Sequence, residues 1–216
     1  MRFVFFGPPG AGKGTMAVEA TKAYGIPHIS SGEMFRAAIR EASPLGLKVK
    51  DIIGKGGLVP DELTIDLVSE RLSRPDLAGG WILDGFPRTI SQARSLSALQ
   101  PEDYVISFEV DDATIIERLS GRRMCRACGR SYHVVFSLTK DPTRCDACGG
   151  ALYIREDDSV ESVRNRLVAY RELTEPLKEF YVARDTLVPV DATGAAPEAW
   201  EVLRAVMSRL LAGERP

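Results

Sequence analysis

Four glycines, a lysine and a threonine crowd into GPPGAGKGT, residues 7–15, directly behind an apolar stretch. Gly7, Gly10, Gly12 and Gly14 let the backbone turn tightly, so that successive N–H groups can surround phosphate oxygens at the start of a helix. Lys13 supplies a point charge for the β and γ oxygens of a nucleotide. The hydroxyl that usually follows the lysine directly comes from Thr15, with Gly14 intervening. That shift leans towards small nucleotide kinases rather than general ATPases or GTPases.

Cys125 and Cys128 form one C-x-x-C, Cys145 and Cys148 another, with sixteen residues between the pairs and Gly129 and Gly149 after them. This is metal-ligand spacing, and four thiolates make a closed, structural zinc site, or an iron site in an iron-rich host. Two disulfides are disfavoured by a reducing compartment. A redox role is disfavoured because neither pair opens a helix after a strand.

Asp84 stands at the carboxyl end of an apolar run, where a phosphate-loop protein holds magnesium directly or through water; a turn-forming role before Gly85 can coexist with that one. Arg88 brings a planar cationic fork to the same place. Arg118, Arg122, Arg123, Arg155, Arg164 and Arg166 form a second basic group, suited to the charge that phosphoryl transfer spreads over equatorial oxygens. A solvated basic face is an equal reading for Arg123, Arg126, Arg130, Arg144 and Arg164 taken singly. His28 and His133 have no acid or nucleophile at a telling spacing and read as structural. The acidic residues of 61–70 read as helix capping and surface charge.

The elements that must position these residues follow from periodicity. Strands are predicted over 2–6, 81–83, 104–110 and 187–190, alternating with helices that include Lys13–Tyr24, a long one from Val160 bending at Pro176, and Ala196–Leu211. Between residue 28 and residue 54 helices dominate and no strand stands out. Residues 121–158 lose the periodic pattern and read as an insertion. The fold class predicted is α/β, a doubly wound parallel sheet. The chain has 216 residues, enough for one α/β core with appendages, and its 44% hydrophobic and 27% charged residues with net charge -2 give no global attraction to nucleic acid or anionic membrane. Near the start the apolar stretch is only Phe3–Phe6, so the cytoplasm is the default compartment.

Taken together, GPPGAGKGT, HISSGEMFR, GGLVPDELTIDLV, WILDGFPRT with Gln92, GRRMCRACGRSYHV and REDDSVESVRNRLVAY resemble the adenylate kinase family, in its long bacterial form with a zinc-bearing lid. The resemblance runs in order through nearly the whole chain. It implies a P-loop core (1–29, 60–120 and 159–216) with a five-stranded parallel sheet, a monophosphate-binding arm (30–59) and a lid (121–158). The implied reaction is ATP + AMP giving two ADP, with Mg2+ and a structural Zn2+.

By matching motif, the resemblance assigns Gly10, Ala11, Gly12, Lys13, Gly14 and Thr15 to the ATP phosphates. Arg118 would lie against the ATP adenine, Arg122 would reach its phosphates, and the backbone at Ser131, Tyr132 and Gly194 would cover the nucleotide. AMP would meet Ser31, Arg36, Gly57, Leu58, Val59, Gly85, Phe86, Pro87, Arg88 and Gln92. Arg155 and Arg166 would clamp the phosphates, and Lys13, Asp84, Arg88, Arg122, Arg155 and Arg166 form the implied catalytic set. Ser31 stands where the family commonly has Thr, Glu33 where Asp is common, and Met16 where Gln is usual. A kinase for another monophosphate is the nearest alternative, and a zinc-ribbon nucleic-acid-binding ATPase a remoter one. The expected partners are nucleotides alone, with no nucleic acid or membrane, and a monomer by analogy.

Overall fold

The computed structural model describes residues 1–214. Its centre is a five-stranded sheet in the order β2-β3-β1-β4-β8, with every neighbouring pair parallel. The strands are β1 (Arg2–Phe6), β2 (His28–Ser30), β3 (Trp81–Asp84), β4 (Tyr104–Glu109) and β8 (Leu187–Asp191). Phe3, Val4, Phe5 and Phe6 are all buried, which is why β1 is a continuous apolar run: a central parallel strand is covered on both faces.

Successive strand residues feed opposite layers. Phe3, Phe5, Ile106 and Phe108 pack against Met16, Ala17 and Ala20 of α1 (Lys13–Tyr24) and Leu203, Met207 and Leu210 of α9 (Ala196–Leu211). Val4, Phe6, Leu83 and Val105 pack against α4 (Asp61–Leu72), α5 (Ile90–Leu99) and Leu177 and Tyr181 of α8 (Leu177–Val182). Residues 30–59 contain α2 (Ser31–Arg40) and α3 (Pro44–Gly54), capped by the Ser30 and Ser43 side chains. After β4, α6 (Asp112–Ser120) leads into residues 121–158. Among the described residues no helix is long and apolar enough to cross a membrane.

The structure corrects the residue-level reading in several places. The 28–54 stretch does hold a strand: β2 is a three-residue edge strand with only one fully buried side chain, Ile29, too short for any alternation to register. Residues 121–158, read as an insertion without assigned strands, hold a separate three-stranded antiparallel sheet, β6-β5-β7, from β5 (Arg122–Cys125), β6 (Ser131–His133) and β7 (Leu152–Tyr153). The long helix beginning at Val160 is not bent at Pro176 alone. α7 (Val160–Ala169) passes into a π-helical turn over Tyr170–Thr174 before α8 begins. Pro60 occupies the cap position of α4, and Asp61 lies in its first turn.

The register places the chemistry. Ser30 pairs with Asp84 and Asp84 with Phe5, so one row at the carboxyl edge of the sheet carries the start of α2, the Asp84 carboxylate and the entry to the glycine-rich loop. Ligands of open parallel sheets bind at this edge.

α2 and α3 meet at Gly46, where a Cβ would stand 2.1 Å from the Ala38 carbonyl oxygen and 2.6 Å from the Ile39 nitrogen. Both are backbone atoms, so the two helices must part to admit it. Gly46→Ala is therefore expected to destabilise the chain by about 1–3 kcal/mol in chemical denaturation. An unchanged midpoint would contradict this close packing.

Candidate active site

The glycine-rich loop runs from the end of β1 to α1. Gly10 and Gly12 hold φ of 85° and 87°, a conformation side chains rarely adopt, and a Cβ on Gly10 would press against Ile115 and Leu119 at 3.0–3.2 Å. No side chain caps α1, so its first N–H groups remain open to an anion. Lys13 Nζ donates to the Gly7 and Pro8 carbonyls, both at 2.8 Å, which folds the side chain back over the loop. Burial pulls Lys13 down to about 8, against the pull of Asp84 in the other direction.

Asp84 lies beside this loop, its Oδ2 3.5 Å from where a side chain on Gly14 would begin. Burial alone would raise its carboxyl; His28 and the Lys13 charge outweigh burial and hold it below the ordinary carboxylate value. His28 Nε2 is 3.7 Å from Asp84 Oδ2, too far for a hydrogen bond, and has no hydrogen-bond partner among the described residues. Read as merely structural from sequence, His28 lines the cavity next to Asp84.

Arg88 is held at three points. Its N–H donates to Gln92 Oε1 (2.8 Å), its Nε donates to the Gly85 carbonyl (2.8 Å), and its own carbonyl accepts from Thr174 Oγ1 (2.9 Å). Gln92 Nε2 in turn donates to Asp61 Oδ1, and Thr89 Oγ1 to Asp61 Oδ2, each at 2.7 Å. A carboxylate only accepts and a main-chain N–H only donates, so the Gln92 amide has one possible orientation. Asp61 is thus neither cap nor surface charge; it orients Gln92. Ser31 Oγ donates to the Gly85 carbonyl at 2.7 Å, tying α2 to the same loop. Arg36 Nε donates to Glu33 Oε2 at 3.1 Å, and burial lowers Arg36.

Three further arginines converge on two carboxylates that sequence reasoning passed over, Asp157 and Asp158. Arg122 forms a two-pronged pair with Asp158, its Nε 2.7 Å from Oδ2. Arg155 does the same with Asp157, its Nε 2.8 Å from Oδ1, and Arg166 reaches both carboxylates at 3.3 Å. The Asp158 side chain has no exposed surface. Burial would raise Asp157, yet the Arg155 and Arg166 charges hold it far below the ordinary carboxylate range. Burial pulls Arg166 down to about 9 despite Asp157, and it keeps its charge at neutral pH. The EDD run between Arg155 and the helix-capping Ser159 was the available signal.

At the other end, Arg118 donates to the carbonyls of Ala192 (2.8 Å), Thr193 (2.9 Å) and Gly194 (2.7 Å). One cavity of about 1960 Å³ joins these parts. It is lined by Gly10–Thr15, Ser31, Arg36, Gly57–Val59, Asp84, Gly85, Pro87, Arg88, Gln92, Arg118, Arg122, Ser131, Tyr132, Arg155, Arg166 and Gly194. Phe86 does not join them; it is buried among Ile29, Leu83 and Ala93 under the sheet edge. Tyr132 lines the cavity, and its hydroxyl lies 3.2 Å from Cys145 Sγ and holds that thiol down to about 6.

The four cysteine sulfurs lie within 4.8 Å of one another, with Cys125–Cys148 at 3.5 Å and Cys128–Cys145 at 3.6 Å, and none is in a disulfide. Tetrahedral zinc–thiolate bonds separate sulfurs by about 3.8 Å, so the set fits the metal. Gly150 closes the cradle, where a Cβ would stand 3.0 Å from Cys125 Sγ.

A family model described as adenylate kinase matches residues 5–186. Curated relatives carry the same name: adenylate kinase of Treponema denticola is 52% identical over 196 residues, covering 91% of this chain and 94% of that one. That of Carboxydothermus hydrogenoformans is 49% identical over 214 residues, covering 97% and 100%. That of Trichlorobacter lovleyi is 46% identical over 212 residues, covering 96% and 99%. With a phosphate loop, a five-stranded parallel sheet, a four-cysteine cluster and these matches over most of its length, the chain belongs to the adenylate kinase family and is a nucleoside monophosphate kinase.

Proposed function

We propose that the acceptor is AMP, and that the chain moves the terminal phosphoryl group of MgATP onto it, giving two ADP and so balancing the adenine nucleotides. The carrying observation is the convergence of Lys13, Arg88, Arg122, Arg155 and Arg166 on one cavity, behind open helix N–H groups. Residues 10–15 and Arg118, Arg122, Ser131, Tyr132 and Gly194 take ATP. Ser31, Arg36, 57–59, 85–88 and Gln92 take AMP, Phe86 by packing the loop from beneath.

Transfer needs positioning and charge, not a general base. Arg155 and Arg166, held by Asp157 and Asp158 before nucleotide arrives, exchange a carboxylate for phosphoryl oxygens of similar geometry. Residues 30–59 act as an acceptor arm and 121–158 as a lid on the 1–29, 60–120 and 159–216 core, closing to exclude water that would hydrolyse ATP. Thr15 and Asp84 would hold magnesium, which would supply charge to neutralise the nucleotide phosphates. Zinc on Cys125, Cys128, Cys145 and Cys148 staples a lid too small to build a core of its own.

In a coupled assay of ADP formation from MgATP with AMP, UMP, CMP or GMP, AMP is expected to be preferred. Arg88→Ala should lower that rate by about a hundredfold or more. Preference for another monophosphate would overturn the AMP assignment while leaving the kinase chemistry intact.

Phosphate binding calls for the Lys13 ammonium, which sits near 8 in the nucleotide-free protein. Above that value binding must take up a proton. The KM for MgATP is expected to be flat below pH 8 and to climb by roughly tenfold per unit well above it, a step Lys13→Arg removes. A flat profile through pH 9 would show that burial does not lower Lys13 to about 8.

Stripping zinc with a chelator is expected to lower the melting temperature of the lid, read from near-ultraviolet dichroism of Tyr132 and Tyr153, before the core melts. Identical melting of loaded and stripped protein would overturn the structural role.

A further inference from the structure

We propose that Thr174 is a positioning residue for phosphoryl transfer: presented by the π turn, its hydroxyl holds the Arg88 main chain and so fixes where the Arg88 guanidinium stands. This rests on the role given to Arg88 above. The bond, Thr174 Oγ1 to the Arg88 carbonyl at 2.9 Å, joins residues 86 positions apart. The other two anchors of Arg88 are local, Gly85 and Gln92, and lie on the same loop and the helix that follows it. They hold the shape of that loop. Thr174 ties it to the helix pair α7–α8, and α7 carries Arg166.

The wide turn is the second observation. Glu175 N–H donates to the Tyr170 carbonyl at 2.8 Å, five residues back instead of four. Such turns are rare in helices and gather at functional sites. This one bears a buried threonine, 6% exposed, that faces the nucleotide cavity. Immediately beyond it Pro176 leads into α8, whose Leu177 and Tyr181 are fully buried in the core. The hydroxyl is thereby borne on a rigid base, and through it the Arg88 loop keeps a fixed distance from Arg166 on the preceding helix.

A threonine that merely satisfies itself inside the protein would matter for stability alone. The two roles separate in a double-mutant cycle. Thr174→Val keeps the shape and removes the donor, and kcat is expected to fall about fivefold, the worth of one neutral hydrogen bond, with KM for MgATP unchanged. Thr174→Ser should restore kcat. In an Arg88→Ala background, Thr174→Val should cost no further kcat, while its effect on melting temperature persists, because the carbonyl it served is still there.

Wild-type kcat in Thr174→Val, an equal loss in Thr174→Ser, or the same fivefold cost in the Arg88→Ala background would each overturn the proposal. Should Arg88→Ala alone keep the full rate, the role given to Arg88 would fall first and this inference with it. A collapse in Arg88→Ala beside an unaffected Thr174→Val would remove Thr174 only.

Discussion

Cations drawn together away from water repel one another and lose hydration, and the rest of this structure is arranged around that cost. Arg122, Arg155 and Arg166 are aligned by Asp157 and Asp158, and Lys13 and Arg88 lie within the field of Asp84. Buried charges without partners would be far more costly than the pairs are stabilising. The carboxylates therefore preserve the shape of the site with no substrate in it. They also shape the arginines into the two-pronged geometry that suits phosphate oxygens.

Such a cluster has to be anchored on rigid elements, and the parallel sheet supplies them. Every strand ends at the same edge, so the glycine-rich loop, Asp84 and the start of α2 are neighbours without any one of them reaching. The Gly85–Gln92 segment is then fixed by bonds from several elements: Ser31 from α2, Asp61 from α4 and Thr174 from the π turn. Precision at Arg88 comes from this crossing of ties and not from its own loop.

What could be read from the sequence depended on whether the constraint was local. The phosphate loop was legible because its backbone conformation demands glycine at fixed positions, and the cysteine pairs because metal geometry dictates their spacing. β2 was illegible to residue patterning because three residues at a sheet edge carry no period, although the family resemblance called for five strands. Asp61 read as one of the capping and surface acids of its helix, and Asp157 and Asp158 drew no reading: the EDD run marks a cluster of acids, but its partners Arg122 and Arg166 lie too far along the chain for spacing to pair them. Phe86 sits inside a motif whose neighbours line the cavity, yet its side chain points into the core, a direction set by packing under β3.

Arg118 carries a mechanical consequence. Its guanidinium grips three successive carbonyls, Ala192 to Gly194, on the loop between β8 and α9, and so nails the last full turn of α6 to the sheet. Whatever swing residues 121–158 make, the pivot cannot lie upstream of that rivet. On that side of the insertion only the few bonds between Leu119 and β5 are left to turn, a short lever in which a small change of angle would be magnified at the four-cysteine end.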